Sequence, residues 1–338
     1  MQSFTTEEIM EKGKALGFAY ESFEYSIFGK YKSSDALFNH RDIPHFNHLH
    51  ANLAGGYGSE GIHYGEVVSF IRYFKFLNIT FPILTLMKDD GKNRVLETFS
   101  FFCFQFLKLN EEIDEPISKK KKGGGCLSKI TYYIGCKNKI LLNIFLPFFK
   151  KMFKKSFNDY KNEDHPFLNR RADLRLNNFF FDKDDISKFN YTDTLNIKRQ
   201  NCFYNFKDFN NRSVAVLIDK IKNNEMNKIS DLDILSFQIY RQDNFLKVYH
   251  LVCPHEGGSL DIYNNVGVKF GIQNFKKQGC QVRCNVHNRR FNPIISINLS
   301  DNKREYFSEI FKFSVNDEKI IVNIRDDLDK KLVYDWSR

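Results

Sequence analysis

Strand-like runs of aromatic and β-branched residues dominate the pattern of this chain, with a few stretches of helical period between them. Thr5-x-x-Glu8 opens the first helical stretch with the residues of a capping box, and Gly17 supplies a stop. After Leu53 the text reads Gly55-Gly56-Tyr57-Gly58, and strand-like runs follow over 66–76, 79–87, 95–109 and 175–181. The 36 Phe of the chain, many of them in these runs, predict a sheet folded round a sizeable apolar interior. Near 201–209 the composition turns polar and Asn-rich, and the chain then enters SVAVLIDKI. Beyond it, LSFQIYRQ and FLKVYHLV predict a hairpin turning at Asp243-Asn244, and SEIFKFSV and KIIVNI a closing hairpin around Asn316-Asp317. With 338 residues there is room for two domains, expected over 1–205 and 206–338.

The net charge of +10 changes this picture only when it is located. Eleven lysines and no acid lie between Pro116 and Phe157, and the rest of the chain is close to neutral. The chain is therefore not a general nucleic-acid binder; it has one basic segment. Within that segment the apolar run from Ile140 to Phe149 is too short to span a bilayer, and Pro147 is expected to interrupt it. Two readings stand: an interfacial helix on an anionic membrane, or a packing helix with a solvated lysine loop around Lys119–Lys122. The lysines also suit a landing patch for an acidic electron donor. Seven cysteines without an evident pairing, and no secretory signal over Met1–Phe18, imply a reducing compartment, the cytoplasm. Cys103, Cys126, Cys136 and Cys202 read as packing residues, and Cys280 as a buried bystander.

The chemistry is concentrated in two loops. The first, CPHEGGSL, carries Cys253 and His255; the second, CNVHNRRF, carries Cys284 and His287. Pro254, Gly257 and Gly258 make the first loop a tight turn rather than a helix. Each loop gives one sulfur and one imidazole, whereas a structural zinc finger usually pairs Cys with Cys and His with His, so zinc is the lesser reading. The two loops resemble those of Rieske proteins, where two thiolates hold one iron of a [2Fe–2S] cluster and two imidazoles hold the other. Gly258 and Val286 stand where the respiratory type has a disulfide, so the loops look more like the oxygenase type. Against that pattern Glu256 replaces an Arg, Asn288 a Gly and Arg289 a Trp, while Phe291 is retained. The 28 residues between His255 and Cys284 are read as including an inserted hairpin around 264–277.

Five of the nine histidines fall between His40 and His63, and among them stands Asp42-x-x-His45-x4-His50. This segment resembles the D-x-x-H-x4-H of Rieske oxygenases. The resemblance implies that His45 and His50, with a distant carboxylate, form the face of a mononuclear Fe(II) site, and that Asp42 bridges to a cluster histidine of a neighbouring subunit. Asp164, in the acid-rich stretch 159–173, is the favoured carboxylate; that stretch otherwise reads as a solvated charged turn. Arg170 and Arg171 are alternative partners for a substrate carboxylate. The competing reading is a hydrogen-bonded histidine cluster lining a ligand cavity. The family order is reversed here, with the cluster domain last.

Taken with the resemblance, the expected fold class is α+β: an N-terminal helix-grip, START-like antiparallel sheet domain and a C-terminal all-β Rieske domain. The implied function is an oxygenase or hydroxylase that takes electrons from a ferredoxin or flavoprotein reductase and acts on an apolar small molecule, as a homo-oligomer, with peripheral membrane contact as an option. The alternative is an electron-transfer or redox-sensing protein whose N-terminal domain binds a ligand and holds no second metal. Neither C-x-x-C nor G-x4-G-K-[ST] occurs, which removes the thioredoxin-like and P-loop classes.

Overall fold

The computed structural model describes residues 5–41, 62–64, 67–76, 79–91, 93–115, 125–177, 179–181, 202–205, 213–229, 236–253, 257–262, 282–284, 286, 290–308, 310–325 and 331–333. The chain divides into two compact units, Met1–Ala172 with Lys183–Lys198, and Asp173–Asp182 with Arg199–Arg338.

The first unit opens with α1 (Thr6–Ala15). Thr5 Oγ1 accepts from the Glu8 amide at 3.3 Å, and Glu8 Oε2 accepts from the Thr5 amide at 2.9 Å, so the capping box closes as expected. Gly17, at φ +88°, ends the helix in a conformation that glycine adopts without a Cβ clash. There follow β1 (Ala19–Gly29), α2 (Ser33–Arg41), β2 (Ile62–Tyr64), β3 (Val67–Phe76), β4 (Ile79–Gly91), β5 (Arg94–Phe101), β6 (Phe104–Asp114) and β7 (Cys126–Cys136). The seven strands form one antiparallel sheet in the order β1-β7-β6-β5-β4-β3-β2.

β7 alternates almost strictly along its length. Ser128, Ile130, Tyr132 and Ile134 are buried, with half-buried residues between them. That period of two sends alternate side chains to opposite faces of the sheet. One face is covered by α3 (Lys139–Asn162), whose Leu142, Phe149, Phe153 and Tyr160 form a stripe against Phe104, Phe106, Tyr132 and Ile134. Ile9 and Met10 of α1 pack with Leu96, Leu107, Leu109 and Tyr133 on the other face. A long helix held in a curled antiparallel sheet is the helix-grip, START-like architecture expected of this half.

Three local expectations are corrected. Pro147 lies inside α3 rather than interrupting it. A proline there costs about 3 kcal/mol, but burying Phe149 and Phe153 beyond it contributes roughly 1.5–3 kcal/mol each. The helix therefore continues. The run 95–109 is two strands, because Phe102 takes φ +52° and closes a tight turn with no Gly, Asn or Pro to announce it. The stretch around 159–176 is helical instead of a charged turn followed by a strand: α4 spans Asp164–Leu176, and only β8 (Phe179–Phe181) is extended.

The second unit contains β8, β9 (Cys202–Asn205), β10 (Ser213–Leu217), β11 (Met226–Lys228), β12 (Phe237–Gln242), β13 (Phe245–His250), β14 (Leu260–Ile262), β15 (Val282–Cys284), β16 (Arg290–Phe291), β17 (Ile295–Asn298), β18 (Glu305–Phe307), β19 (Phe311–Val315), β20 (Lys319–Ile324) and β21 (Lys331–Val333). Two four-stranded sheets, β10-β20-β19-β18 and β11-β12-β13-β17, share a core of Phe237, Ile239, Leu246, Val248, Phe311, Phe313, Ile320 and Val322. Both expected hairpins are present. Asp243 turns the first at φ +54°, and Asn316 Oδ1 accepts from the Glu318 and Lys319 amides in the second. Three-stranded sheets β14-β15-β16 and β21-β9-β8 complete the unit.

Candidate metal centre

β13 runs out of the sandwich into the first cysteine loop. Val252 and Ser259 pair as an isolated bridge, so the chain leaves and returns within a few residues. Inside that neck the Cys253 amide donates to the Gly258 carbonyl at 2.8 Å, and the Gly257 amide donates to the Cys253 carbonyl at 2.8 Å. Gly257 has φ +78°, the left-handed conformation that this reversal requires. The returning strand β14 pairs directly with β15, with Leu260 opposite Cys284. Cys253, one residue past the Val252–Ser259 bridge, and Cys284, at the end of β15, are thereby brought onto neighbouring segments.

The distance between the two loops is set by a glycine. A Cβ on Gly258 would lie 2.8 Å from Cys284 Sγ and 2.9 Å from Val286 Cγ2, inside van der Waals contact for both. Cys253 and Cys284 are wholly buried and lie outside any disulfide. Around them Leu251, Val252, Leu260 and Val286 are buried too, which makes the sulfur side of the site dry. Gln238 fastens the two strand ends from beneath: its amide nitrogen donates to the His250 carbonyl at 3.3 Å and to the Leu260 carbonyl. Phe291, the residue shared with the oxygenase-type loop, is buried on β16 opposite Val282.

Buried thiols from two loops, which a residue with no side chain lets approach closely, suit a sulfide-bridged iron pair. Cys253 and Cys284 would hold one iron and His255 and His287 the other, and the bound cluster would supply one-electron transfer. His255, His287, the expected hairpin at 264–277 and Cys280 lie outside the described residues.

In the first unit, Asp42, His45, His50 and Lys119–Lys122 also lie outside the described residues. Asp164 does not: it is buried in the first turn of α4, and one carboxylate oxygen accepts from the Asn39 amide of α2 at 2.8 Å. Arg171 is buried with Asp35, Nε to Oδ1 at 3.3 Å, which corrects the expectation that it waits for a substrate carboxylate. Among the described residues no group of three or more His, Cys, Asp or Glu side chains has the arrangement of a metal site.

A buried polar network escaped the sequence reading. His40 Nε2 lies 2.8 Å from Glu112 Oε1, and the imidazole stacks on the Tyr160 ring at 5.9 Å. Glu112 Oε2 accepts from Ser128 Oγ at 2.5 Å and from the Cys126 thiol at 3.3 Å, and the Tyr31 hydroxyl lies 2.8 Å from Ser128 Oγ. Burial raises the Tyr31 and Tyr160 phenols, and burial together with Glu112 raises the Cys126 thiol, so all three keep their protons. No local pattern marks it: Glu112 stands beside Glu111 in β6, where apolar and polar residues occur at both parities.

The model of the Rieske [2Fe–2S] domain matches residues 212–304. No curated protein matches the chain. Among solved structures, TTHA0849 from Thermus thermophilus is 10% identical, with 45% of this chain and 97% of that one covered and a TM-score of 0.32. Norcoclaurine synthase from Thalictrum flavum is 12% identical over 44% of this chain and 85% of that one, at a TM-score of 0.29. The di-domain ARO/CYC BexL from the BE-7585A biosynthetic pathway is 7% identical over 90% of this chain and 85% of that one, again at 0.29. Residues 212–304 are a Rieske [2Fe–2S] domain, C-terminal in the chain, and give the protein an iron–sulfur redox function.

Proposed function

We propose that the protein is a Rieske-type oxygenase or hydroxylase, drawing electrons from a ferredoxin or flavoprotein reductase and acting on an apolar small molecule in the helix-grip unit. The observation that carries the reading beyond electron transfer is the hydrogen bond of Asp164 to Asn39. Asn39 stands three residues before Asp42 on α2, the helix that leads into D-x-x-H-x4-H. The carboxylate singled out by sequence is thus fastened to the element from which the histidine segment departs.

In this reading His45, His50 and Asp164 hold a ferrous ion, which supplies open positions for O2 and substrate. Asn39 orients the carboxylate, and Asp42 links the site to a cluster histidine of a neighbouring copy. In the second unit the buried apolar ring around Cys253 and Cys284 keeps water from the sulfurs, and Gln238 fixes the two ends of the loop that carries Cys253. Iron and acid-labile sulfide analysis, with low-temperature EPR before and after reduction, tests the proposal. Three irons and two sulfides per chain are expected. Two irons, both in the cluster, would overturn the oxygenase reading and leave an electron-transfer or redox-sensing protein.

A further inference from the structure

We propose that one end of the helix-grip unit docks on an anionic phospholipid surface. Register brings the relevant segments together. Phe101 pairs with Phe104 across the β5–β6 turn, Phe104 pairs with Cys136 at the end of β7, and Cys136 pairs with Ala19 at the start of β1. The Phe102 turn, the α1–β1 connection and the β7–α3 connection therefore share one end of the sheet. Lys12, Leu16, Phe18, Phe102 and Lys137 line a single open cavity of about 460 Å³ there. The Phe145 ring of α3 meets Phe104 at 5.7 Å, so the first turns of that helix belong to the same end.

This end is apolar and exposed. Phe102 is 78% exposed at the turn tip, Leu16 66% at the end of α1, and Ile140 and Ile144 74% and 66% on the outer side of α3. Phe148 extends the α3 stripe by one more turn at spacing four. Isolated exposed apolar side chains are ordinary, but a group this concentrated marks an interaction surface.

The charge around it selects the partner. Lys12, Lys14, Lys137 and Lys139 are exposed at this end, and Lys137 Nζ sits 5.5 Å from the Phe18 ring centroid. Further along α3 come exposed Lys150, Lys151, Lys154 and Lys155, with no acid on the helix before Asp159. Apolar side chains that enter the acyl boundary, ringed by ammonium groups at headgroup level, match an anionic bilayer. No helix among the described residues is long and apolar enough to cross a membrane.

Flotation of the full chain with phosphatidylcholine vesicles, and with vesicles that also contain phosphatidylserine, tests the proposal. Binding is expected only with phosphatidylserine and should weaken as salt rises. The double variant Phe102→Ser/Ile144→Ser should lower partitioning roughly ten-fold or more, and Lys137→Glu or Lys139→Glu about five-fold or more each. Phe102→Trp should show a blue-shifted emission with the anionic vesicles alone. Equal binding to both vesicle types, no binding to either, or binding untouched by the variants overturns the proposal. Capture of an acidic redox protein by this end, without vesicle binding, overturns it too.

Discussion

Gly258 faces Cys284 so closely that a single methyl group cannot be added between them: its Cβ would sit 2.8 Å from Sγ. The loop holding Cys253 can approach the loop holding Cys284 because position 258 ends at hydrogen.

Gly258→Ala should therefore separate the loops. Overpacking of this kind costs about 1–3 kcal/mol, and here the displaced atom is the Cys284 thiol sulfur, a proposed ligand of the cluster. The expected result is a folded protein of lower melting temperature with most of its iron and visible colour lost. Full iron content in that variant would show that the loop spacing is not what the cluster requires.

Gln238 holds the first loop by its ends, through the carbonyls of His250 and Leu260. Gln238→Leu leaves two buried carbonyls without this donor, at a cost of about 1–3 kcal/mol. Thermal bleaching of the cluster should shift downward with the variant, while melting of the helix-grip unit stays unchanged. Differential scanning calorimetry, recorded alongside absorbance, separates the two transitions.

His250 gives the second unit an acid-sensitive component. Burial lowers its imidazole from 6.5 to about 3, and the ring sits neutral with its centroid 6.3 Å from Phe237 and 5.7 Å from Phe311. Between those two pH values the unfolded chain binds a proton that the fold excludes. Stability is thus fully present above pH 6.5 and is lost progressively as pH falls towards 3. In His250→Phe the slope of unfolding free energy against pH should flatten across that window, with neutral-pH stability changed by less than about 1.5 kcal/mol. Urea unfolding on both sides of pH 6.5 provides the comparison.

How much of this was legible beforehand follows from what kind of signal each feature leaves. Thr5 and Glu8 declare a cap because the motif is local, and the hairpins at Asp243 and Asn316 declare themselves through turn residues. Cys253, His255, Cys284 and His287 stand out as candidate ligands for the same reason: two short spacings, each complete within one loop. The turn at Phe102 was not, since positive φ in a phenylalanine leaves no compositional mark. Nor was α3 beyond Pro147, where tertiary burial of Phe149 and Phe153 outweighs a local breaker. The His40–Glu112 network lay deeper still, because its members come from α2, β6, β7 and α3 and meet only in the folded sheet.

That network carries its own expectation. His40→Ala leaves Glu112 buried with one hydrogen bond fewer, costing about 1–3 kcal/mol. His40→Gln, which keeps a donor, should recover much of the loss. Both effects should appear in the melting of the helix-grip unit, and neither should change the cluster spectrum.

The central claim is that Cys253 and Cys284, with His255 and His287, hold one [2Fe–2S] cluster. Iron and acid-labile sulfide, measured in parallel on the native chain and on Cys284→Ala, test it most directly. The account predicts equal amounts of sulfide and cluster iron in the native protein, two of each per chain, and sulfide near zero in the variant. Unchanged sulfide in Cys284→Ala, or zinc in place of iron in the native protein, would contradict it.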